Sequence, residues 1–177
     1  MKIKTIFSLL IMAWLLGAGL ISCKQDIAYE VYENKQLPYI FEVPTTWMMD
    51  DTHPNYIKFY NADQSMGISC EVGVDALAKE EELDSFYEWE LNKHKHEIYN
   101  EQELEKTFDH YILKWKDADG DYYIEGEKCV NGYLGCICMG SDSTNLPQAT
   151  KIFQYVFKSI APNPHFVAPK NVEGEEE

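Results

Sequence analysis

The stretch FDHYILKWKDADGDYYIEGEKCVNGYLGCICMG, residues 108–140, predicts three successive antiparallel strands. The strands cover about residues 108–116, 121–130 and 133–140. They are separated by the dipeptides Asp119-Gly120 and Asn131-Gly132, and both dipeptides favour the positive φ angles that tight primed turns need. The stretch therefore predicts a three-stranded meander.

Three more strands are predicted upstream of this meander. Residues 37–43 are strand-like and end at Pro44, and residues 45–54 are expected to form a loop around a buried Trp47. Residues 56–60 and 66–74 form a predicted hairpin. In its second strand apolar side chains alternate with small or polar ones, which gives one apolar face. The alternating residues are Met66, Ile68, Cys70, Val72 and Val74.

Two helices are predicted from apolar residues spaced three and four apart. In the first, these residues are Leu83, Phe86, Tyr87, Leu91, His94 and Ile98. The second covers about residues 145–160, with Asn145 as the expected N-cap and Pro147 in the first turn. Its apolar stripe consists of Ala149, Ile152, Phe153, Val156 and Ile160. The fold class is therefore α+β, with a mainly antiparallel sheet of about six strands sandwiched by helices.

Several short motifs, taken in their order along the chain, resemble the PsbP/Mog1-like superfamily. They are FEVPTTW at residues 41–47, LDSF at 83–86, the Asn131-Gly132 hairpin and FKSI at 157–160. The resemblance covers residues 37–160 and implies an α/β/α sandwich around an antiparallel sheet. It also implies a mostly non-catalytic group whose members bind proteins or stabilise assemblies. These motifs mark structural positions, so the resemblance assigns no functional residue.

The N-terminus is typical of a bacterial lipoprotein signal peptide. Lys2 and Lys4 precede an uncharged, mostly apolar run that ends in Leu20-Ile21-Ser22-Cys23. This ending resembles a lipobox, which implies cleavage after residue 22 and acylation of Cys23. Two or three acyl chains would anchor the protein stably. Residues 23–36 are then expected to be a lipidated tether, and residues 161–177 a disordered acidic tail.

The charge of the chain argues against certain classes of binding partner. The sequence has 30 acidic residues and 15 basic ones, all of them lysine, for a formal charge of −15. Loss of residues 1–22, which hold two lysines and no acid, leaves −17. Nucleic acids and anionic lipid surfaces would repel such a body, so we expect no nucleic-acid partner and membrane attachment through the lipid alone. Lys24 follows the cysteine where inner-membrane lipoproteins carry aspartate, which favours the outer membrane.

Four cysteines remain after Cys23, and the sequence leaves their state open. They are Cys70, Cys129, Cys136 and Cys138. They are small apolar core residues, or they form disulfides of unknown pairing, for example a cross-strand bridge from Cys70. Cys136 and Cys138 share a strand face but cannot bridge each other. A two-residue turn at Asn131-Gly132 would place Cys129 opposite Leu134 on that same face.

Candidate metal ligands are sparse in the sequence. Glu90 and His94 are four apart on the first helix and could share an ion, whereas His94 and His96 diverge. The run Asp117 to Asp121 departs from calcium-loop spacing and is explained by a hairpin turn. A carrier using Cys136, Cys138 and a histidine is a further hypothesis. The chain has no nucleophile elbow, phosphate-binding glycine loop or HExxH motif.

The sequence therefore predicts a non-catalytic binding or accessory module of the bacterial cell envelope, without a cofactor and with an envelope protein as its partner. Two alternatives stay open. One is an envelope enzyme whose site is assembled from residues distant in sequence, and the other is a carrier of a small ligand or metal. A cavity with converging titratable groups would favour these alternatives.

Overall fold

The structure is a computed structural model that describes residues 26–53, 55–71, 81–94 and 105–167. The predicted signal peptide and its Cys23 lie outside these residues. So do Val72 and Val74 of the predicted hairpin, His96 and Ile98 of the first predicted helix, and the predicted tail from residue 168 onward. Neither helix in the described ranges is long and apolar enough to cross a bilayer.

Seven strands form the main sheet, and every neighbouring pair is antiparallel. Its spatial order is β3-β4-β5-β9-β8-β7-β6. The strands are β3 (Met48–Asp50), β4 (Tyr56–Tyr60), β5 (Met66–Glu71), β6 (Glu105–Lys106), β7 (His110–Lys116), β8 (Tyr122–Val130) and β9 (Tyr133–Ser141). The predicted hairpin and meander are therefore both confirmed, and β5 joins them by pairing with β9.

A second, three-stranded sheet lies beside the main one. It has the order β1-β2-β10, with β1 (Tyr29–Tyr32), β2 (Tyr39–Pro44) and β10 (Ala161–Pro162). The two helices are α1 (Glu81–His94) and α2 (Leu146–Ser159), as the apolar spacing predicted. The observed fold is thus α+β as expected, with a sheet one strand larger than predicted and β2 placed outside it.

The larger core lies on the α2 side of the main sheet. Alternate residues of β8 and β9, such as Ile124, Ile137 and Met139, point to this side and are buried. The buried stripe of α2 packs against them and against β2. Gly126 makes this close approach possible, because an added Cβ would lie 2.6 Å from the Phe157 ring and 2.8 Å from the Phe153 ring.

A smaller core lies on the opposite, α1 side of the sheet. Leu83 of α1 and Tyr111, Leu113 and Trp115 of β7 are its buried apolar residues. Neighbouring β7 residues alternate between the two sides, since Ile112 pairs with Gly126 while Tyr111 pairs with Glu127. The sheet therefore has a helix on each face, which is the sandwich that the resemblance implied.

The two meander junctions differ. Val130 pairs with Tyr133, and Asn131 and Gly132 have φ angles of 53° and 79°, so this junction is the predicted two-residue primed turn. The other junction is longer than predicted, because the last pair before it is Lys116 with Tyr122. One Asp117 carboxylate oxygen there accepts the backbone N–H groups of residues 119, 120 and 121. The acidic run therefore stabilises the turn in which it lies, as the hairpin explanation predicted.

Both ends of the domain extend beyond the predicted limits of residues 37 and 160. Within the predicted tether, every residue of β1 (Tyr29–Tyr32) pairs with a residue of β2. Within the predicted tail, Ala161 pairs with Ile40, and Asn163 is only 6% exposed. The Asn163 amide donates hydrogen bonds to the carbonyls of Asn34 and Leu37. These segments are ordered because both pair with β2 and because Asn163 bonds to the chain before β2. Local composition does not encode such long-range contacts.

Two local expectations are also corrected. Residues 48–50 of the predicted loop form the edge strand β3, and Trp47 is only partly buried. Asn145 precedes α2 as expected, but its side chain makes no capping hydrogen bond. Asn145 instead donates both its backbone N–H and its side-chain amide to Asp142.

Candidate functional site

Polar side chains converge on the α1 side of the two central strands. Glu127 pairs with Cys136 and Glu125 pairs with Cys138 across β8 and β9, and directly opposed residues share a sheet face. One ligand atom from each of Glu125, Glu127 and Cys136 lies within 4.8 Å of the other two. We call these three residues the carboxylate–thiol cluster.

Helix α1 covers the cluster and encloses a cavity of about 320 Å³. Phe86, Trp89 and Glu90 line the cavity from above, and Leu134 lines it from the sheet. Glu90 takes a core-facing position of the helix, in register with Leu83, Phe86 and Tyr87, and is only 7% exposed. A carboxylate in an apolar stripe is rare without a polar partner.

Glu90 has two such partners on its own helix. Its Oε2 lies 3.2 Å from Lys93 Nζ and 3.4 Å from His94 Nε2. The His94 ring is held in place by stacking on Trp115, with ring centroids 4.1 Å apart. Glu90 and His94 are thus close together, as their spacing predicted, and Glu90 lines the helix side of the cavity.

Burial dominates the electrostatics of the cluster. Burial, reinforced by the nearby Glu90 and Glu127 carboxylates, raises the pKa of Glu125 to about 8. Burial likewise raises the pKa of Glu127 to about 7. The pKa of the Cys136 thiol is raised well above its ordinary value, first by burial and then by the two glutamates. Burial therefore favours the protonated, neutral forms of these three groups.

Two buried polar atoms near the cluster lack hydrogen bonds. Within the described residues, the Glu127 Oε2 atom and the Tyr111 hydroxyl have no partner of acceptable geometry. Tyr111 is fully buried and pairs directly with Glu127 across β7 and β8, so both atoms lie on the α1 side. The two groups lie close enough that each contributes to the shift of the other's pKa, and an occupant of the cavity would satisfy both atoms.

The predicted cysteine sites are divided between the two faces of the sheet. Cys70 pairs with Ile137 and packs into the α2-side core, where burial raises its pKa to about 12. Cys129 lies opposite Leu134, as expected, on the face that holds Cys136 and Cys138. All four are free thiols. The cross-strand bridge from Cys70 to this group is corrected, because the sheet itself lies between the thiols.

The other predicted candidates are dispersed. His110 contacts Asp109 and Glu105 at the sheet edge, His53 stacks on Tyr56, and His165 pairs with Glu33. The cluster glutamates were missed because 30 acids give a carboxylate no distinction. A signal was nevertheless present. The turn that sets Cys129 opposite Leu134 also sets Glu127 opposite Cys136.

Comparison with known proteins rests on the fold, since no protein-family model and no curated protein matches the sequence. The solved structure of cyanobacterial PsbP (CyanoP) from Synechocystis is similar, with a TM-score of 0.56 and 14% identity. The match covers 82% of this chain and 99% of that one. The fold is PsbP/Mog1-like.

The Ran-binding protein Mog1p of Saccharomyces cerevisiae is a weaker match, with a TM-score of 0.49 and 7% identity. The matched region covers 76% of this chain and 95% of Mog1p. The CyanoP match confirms the fold that the sequence resemblance implied. At these identities the likeness concerns the fold alone and assigns no function to the residues of the site.

Proposed function

We propose that the protein is a non-catalytic binding module, held at the bacterial cell envelope by a lipid on Cys23. The signal-like N-terminus and the lipobox ending at Cys23 support the anchor, and Lys24 supports the outer membrane. A body charge of −17 after cleavage supports attachment by lipid, because anionic membranes would repel the protein surface.

The observation that carries the binding role is the cavity under α1. It brings together Glu125, Glu127 and Cys136, and burial keeps the Cys136 thiol protonated. Carboxylate and thiol groups that converge on a cavity offer several donor atoms to one ligand. The cavity therefore supports a binding role. The same convergence supports the second candidate, a carrier of a small ligand or metal.

The anchor is tested by changing Cys23→Ser in the full chain. We expect the protein to move from the membrane fraction to the soluble fraction, because serine cannot receive the thioether-linked lipid. Cys129→Ser is the matched control, since Cys129 is a partly exposed thiol far from the lipobox, and it should stay membrane-bound. Tight membrane association of Cys23→Ser would contradict lipid anchoring.

The binding role is tested in the same strains by crosslinking in intact envelopes, followed by pull-down. We expect one envelope protein to be captured in stoichiometric amounts with the anchored protein. Its yield should fall with Cys23→Ser, because a released protein loses the high local concentration at the membrane. Equal capture of many unrelated envelope proteins by both forms would contradict a specific partner.

A further inference from the structure

We propose that Glu125, Glu127 and Cys136 bind one thiophilic divalent metal ion of the Zn²⁺ class in the cavity under α1. The site rests on the carrier candidate of the proposed function, whose ligand it names, but it does not depend on the lipid anchor. It is supported by the position of these three side chains and by two neighbouring buried polar atoms without a hydrogen bond of good geometry in the described residues.

The first step is the geometry of the donors. Two carboxylates and one thiol place a ligand atom each within 4.8 Å of one another. Tetrahedral sites with bonds of about 2.0–2.3 Å need donor atoms about 3.3–3.8 Å apart. Side-chain rotations that close the gap by about 1 Å would therefore complete the set, and all three donors stand on adjacent, paired strands that hold them in register.

The second step is the unsatisfied oxygen of Glu127. This side chain is only 7% exposed, and its Oε2 makes no hydrogen bond of good geometry within the described residues, although the Tyr111 hydroxyl and the Cys136 thiol lie close enough to the carboxyl to lower its pKa against the effect of burial. The Tyr111 hydroxyl, fully buried on the adjacent strand, is also without a partner. Such groups are rare in a folded interior, and an occupant of the cavity would satisfy them. A metal ion would take one lone pair of Glu127, and a metal-bound water could accept the Tyr111 O–H.

The third step is charge. Glu90 lies over the same cavity, 7% exposed, and Glu71 lines it from the end of β5. Within the described lining, Lys93 is the cationic side chain; its Nζ contacts Glu90, and its charge only partly offsets the effects that raise the pKa of Glu125. A buried group of acids with so little positive charge is stabilised by a bound divalent cation.

The donor set also selects the class of metal. A thiolate with carboxylates favours Zn²⁺ or Co²⁺, whereas Ca²⁺ and Mg²⁺ prefer sets made of oxygen alone. Binding requires the Cys136 thiolate and both carboxylates, so each ligand that carries a proton releases it to solvent as the metal bond forms. Water would take the remaining coordination place, since the Glu90 carboxylate at the same cavity contacts Lys93 and His94.

The proposal is tested on the full chain in detergent, stripped with a chelator and kept reduced. We expect one equivalent of Co²⁺ to produce a thiolate-to-cobalt charge-transfer band, and Zn²⁺ to displace the Co²⁺ and abolish the band. Cys136→Ser should remove the band. Cys129→Ser, a partly exposed cysteine on the same sheet face, is the matched control and should retain it.

A second pair of variants keeps the test decisive if Cys136→Ser fails to fold. Glu125→Gln and Glu127→Gln keep the shape of the protonated carboxyl groups, so we expect them to fold and to weaken Co²⁺ binding at least about tenfold. A band that survives Cys136→Ser, a band lost only with Cys23→Ser, or binding of Ca²⁺ but not Co²⁺ would overturn the proposal. Release of Cys23→Ser from membranes would leave the cobalt result unchanged, so the two tests fail independently.

Discussion

At the scale of single residues, Asn163 shows how one side chain fixes the end of the domain. Its amide donates to the carbonyls of Asn34 and Leu37, and its backbone N–H donates to Pro38. It thereby joins the chain after α2 to the segment before β2. This amide is costly to remove, because the Leu37 carbonyl then loses its side-chain donor and the Asn34 carbonyl keeps only the Leu37 N–H.

Asn163→Ala should therefore destabilise the domain by about 2 kcal/mol. The measurement is the free energy of unfolding in urea, followed by circular dichroism. Val167→Ala is the control, because the Val167 side chain is 70% exposed and its loss should leave stability nearly unchanged. Equal stability of the two variants would mean that the segment after α2 is not held by Asn163.

At the scale of elements, strand β8 carries opposite chemistry on its two faces. One face presents Ile124 and Gly126 to α2, and the other presents Glu125 and Glu127 to α1. The glutamates have raised pKa values of about 8 and about 7, caused first by burial. The protonation state of one strand face therefore affects the stability of the whole sheet.

The metal-free protein should lose stability as the pH rises from about 5 to about 8. In the unfolded chain Glu125 and Glu127 titrate near 4.5, whereas the folded protein retains their protons to about pH 7–8. Their contribution is complete below the unfolded pKa and is lost as the pH passes through the folded values. The measurement is the urea midpoint in chelator across this range.

The double variant Glu125→Gln Glu127→Gln is the control for this pH dependence. It replaces both titrating groups by neutral amides while Glu90, Lys93 and Glu71 remain around the cavity. We expect a flatter dependence of the midpoint on pH in the variant. If the wild-type slope persists unchanged, other groups account for it.

The same strands show how far the sequence predicts the structure. Asn131-Gly132 predicted a two-residue turn, and that turn alone determines every β8–β9 pair, including Glu127 with Cys136. The short strands β3, β6 and β10 could not be predicted in this way. Each is two or three residues long. β10 pairs with a distant strand, as Ala161 does with Ile40, whereas β3 and β6 pair with the next strand in the chain but are too short to show an alternating pattern.

The site was only half predictable for a related reason. Periodicity placed Cys136 and Cys138 on one face, and helical spacing placed Glu90 near His94. Whether a glutamate on that face is buried depends on where α1 packs, and the sequence does not encode that position locally. The unsatisfied Glu127 oxygen is likewise a property of the assembled cavity rather than of any motif.

At the scale of the whole molecule, the small sheet closes the α2-side core. Tyr32 of β1 contacts the rings of Phe41 and Phe59, with centroids 5.5 Å and 4.9 Å away. Tyr29 stacks on Tyr155 of α2 at 3.9 Å. The segment before residue 37, which includes β1, is therefore packed as part of the domain.

A chain that begins at Leu37 should accordingly be less stable than one that begins at Asp26. Loss of Tyr29 and Tyr32 removes aromatic contacts from the core, so we expect a cost of at least about 2 kcal/mol, or failure to fold. Unfolding in urea compares the two chains directly. Equal midpoints would show that β1 contributes no stability and that the domain begins at residue 37.

The two cores differ in size, and this difference affects how readily each helix detaches from the sheet. In the described part of the chain, α1 is held by a small apolar cluster, while α2 and the small sheet share a much larger one. Backbone amides of α1 should therefore exchange with solvent deuterium through local opening, well before the global unfolding that exposes β8 and β9. Each such opening would uncover the carboxylate–thiol cluster, so the excursions of a single helix would set how fast an occupant enters and how long it stays.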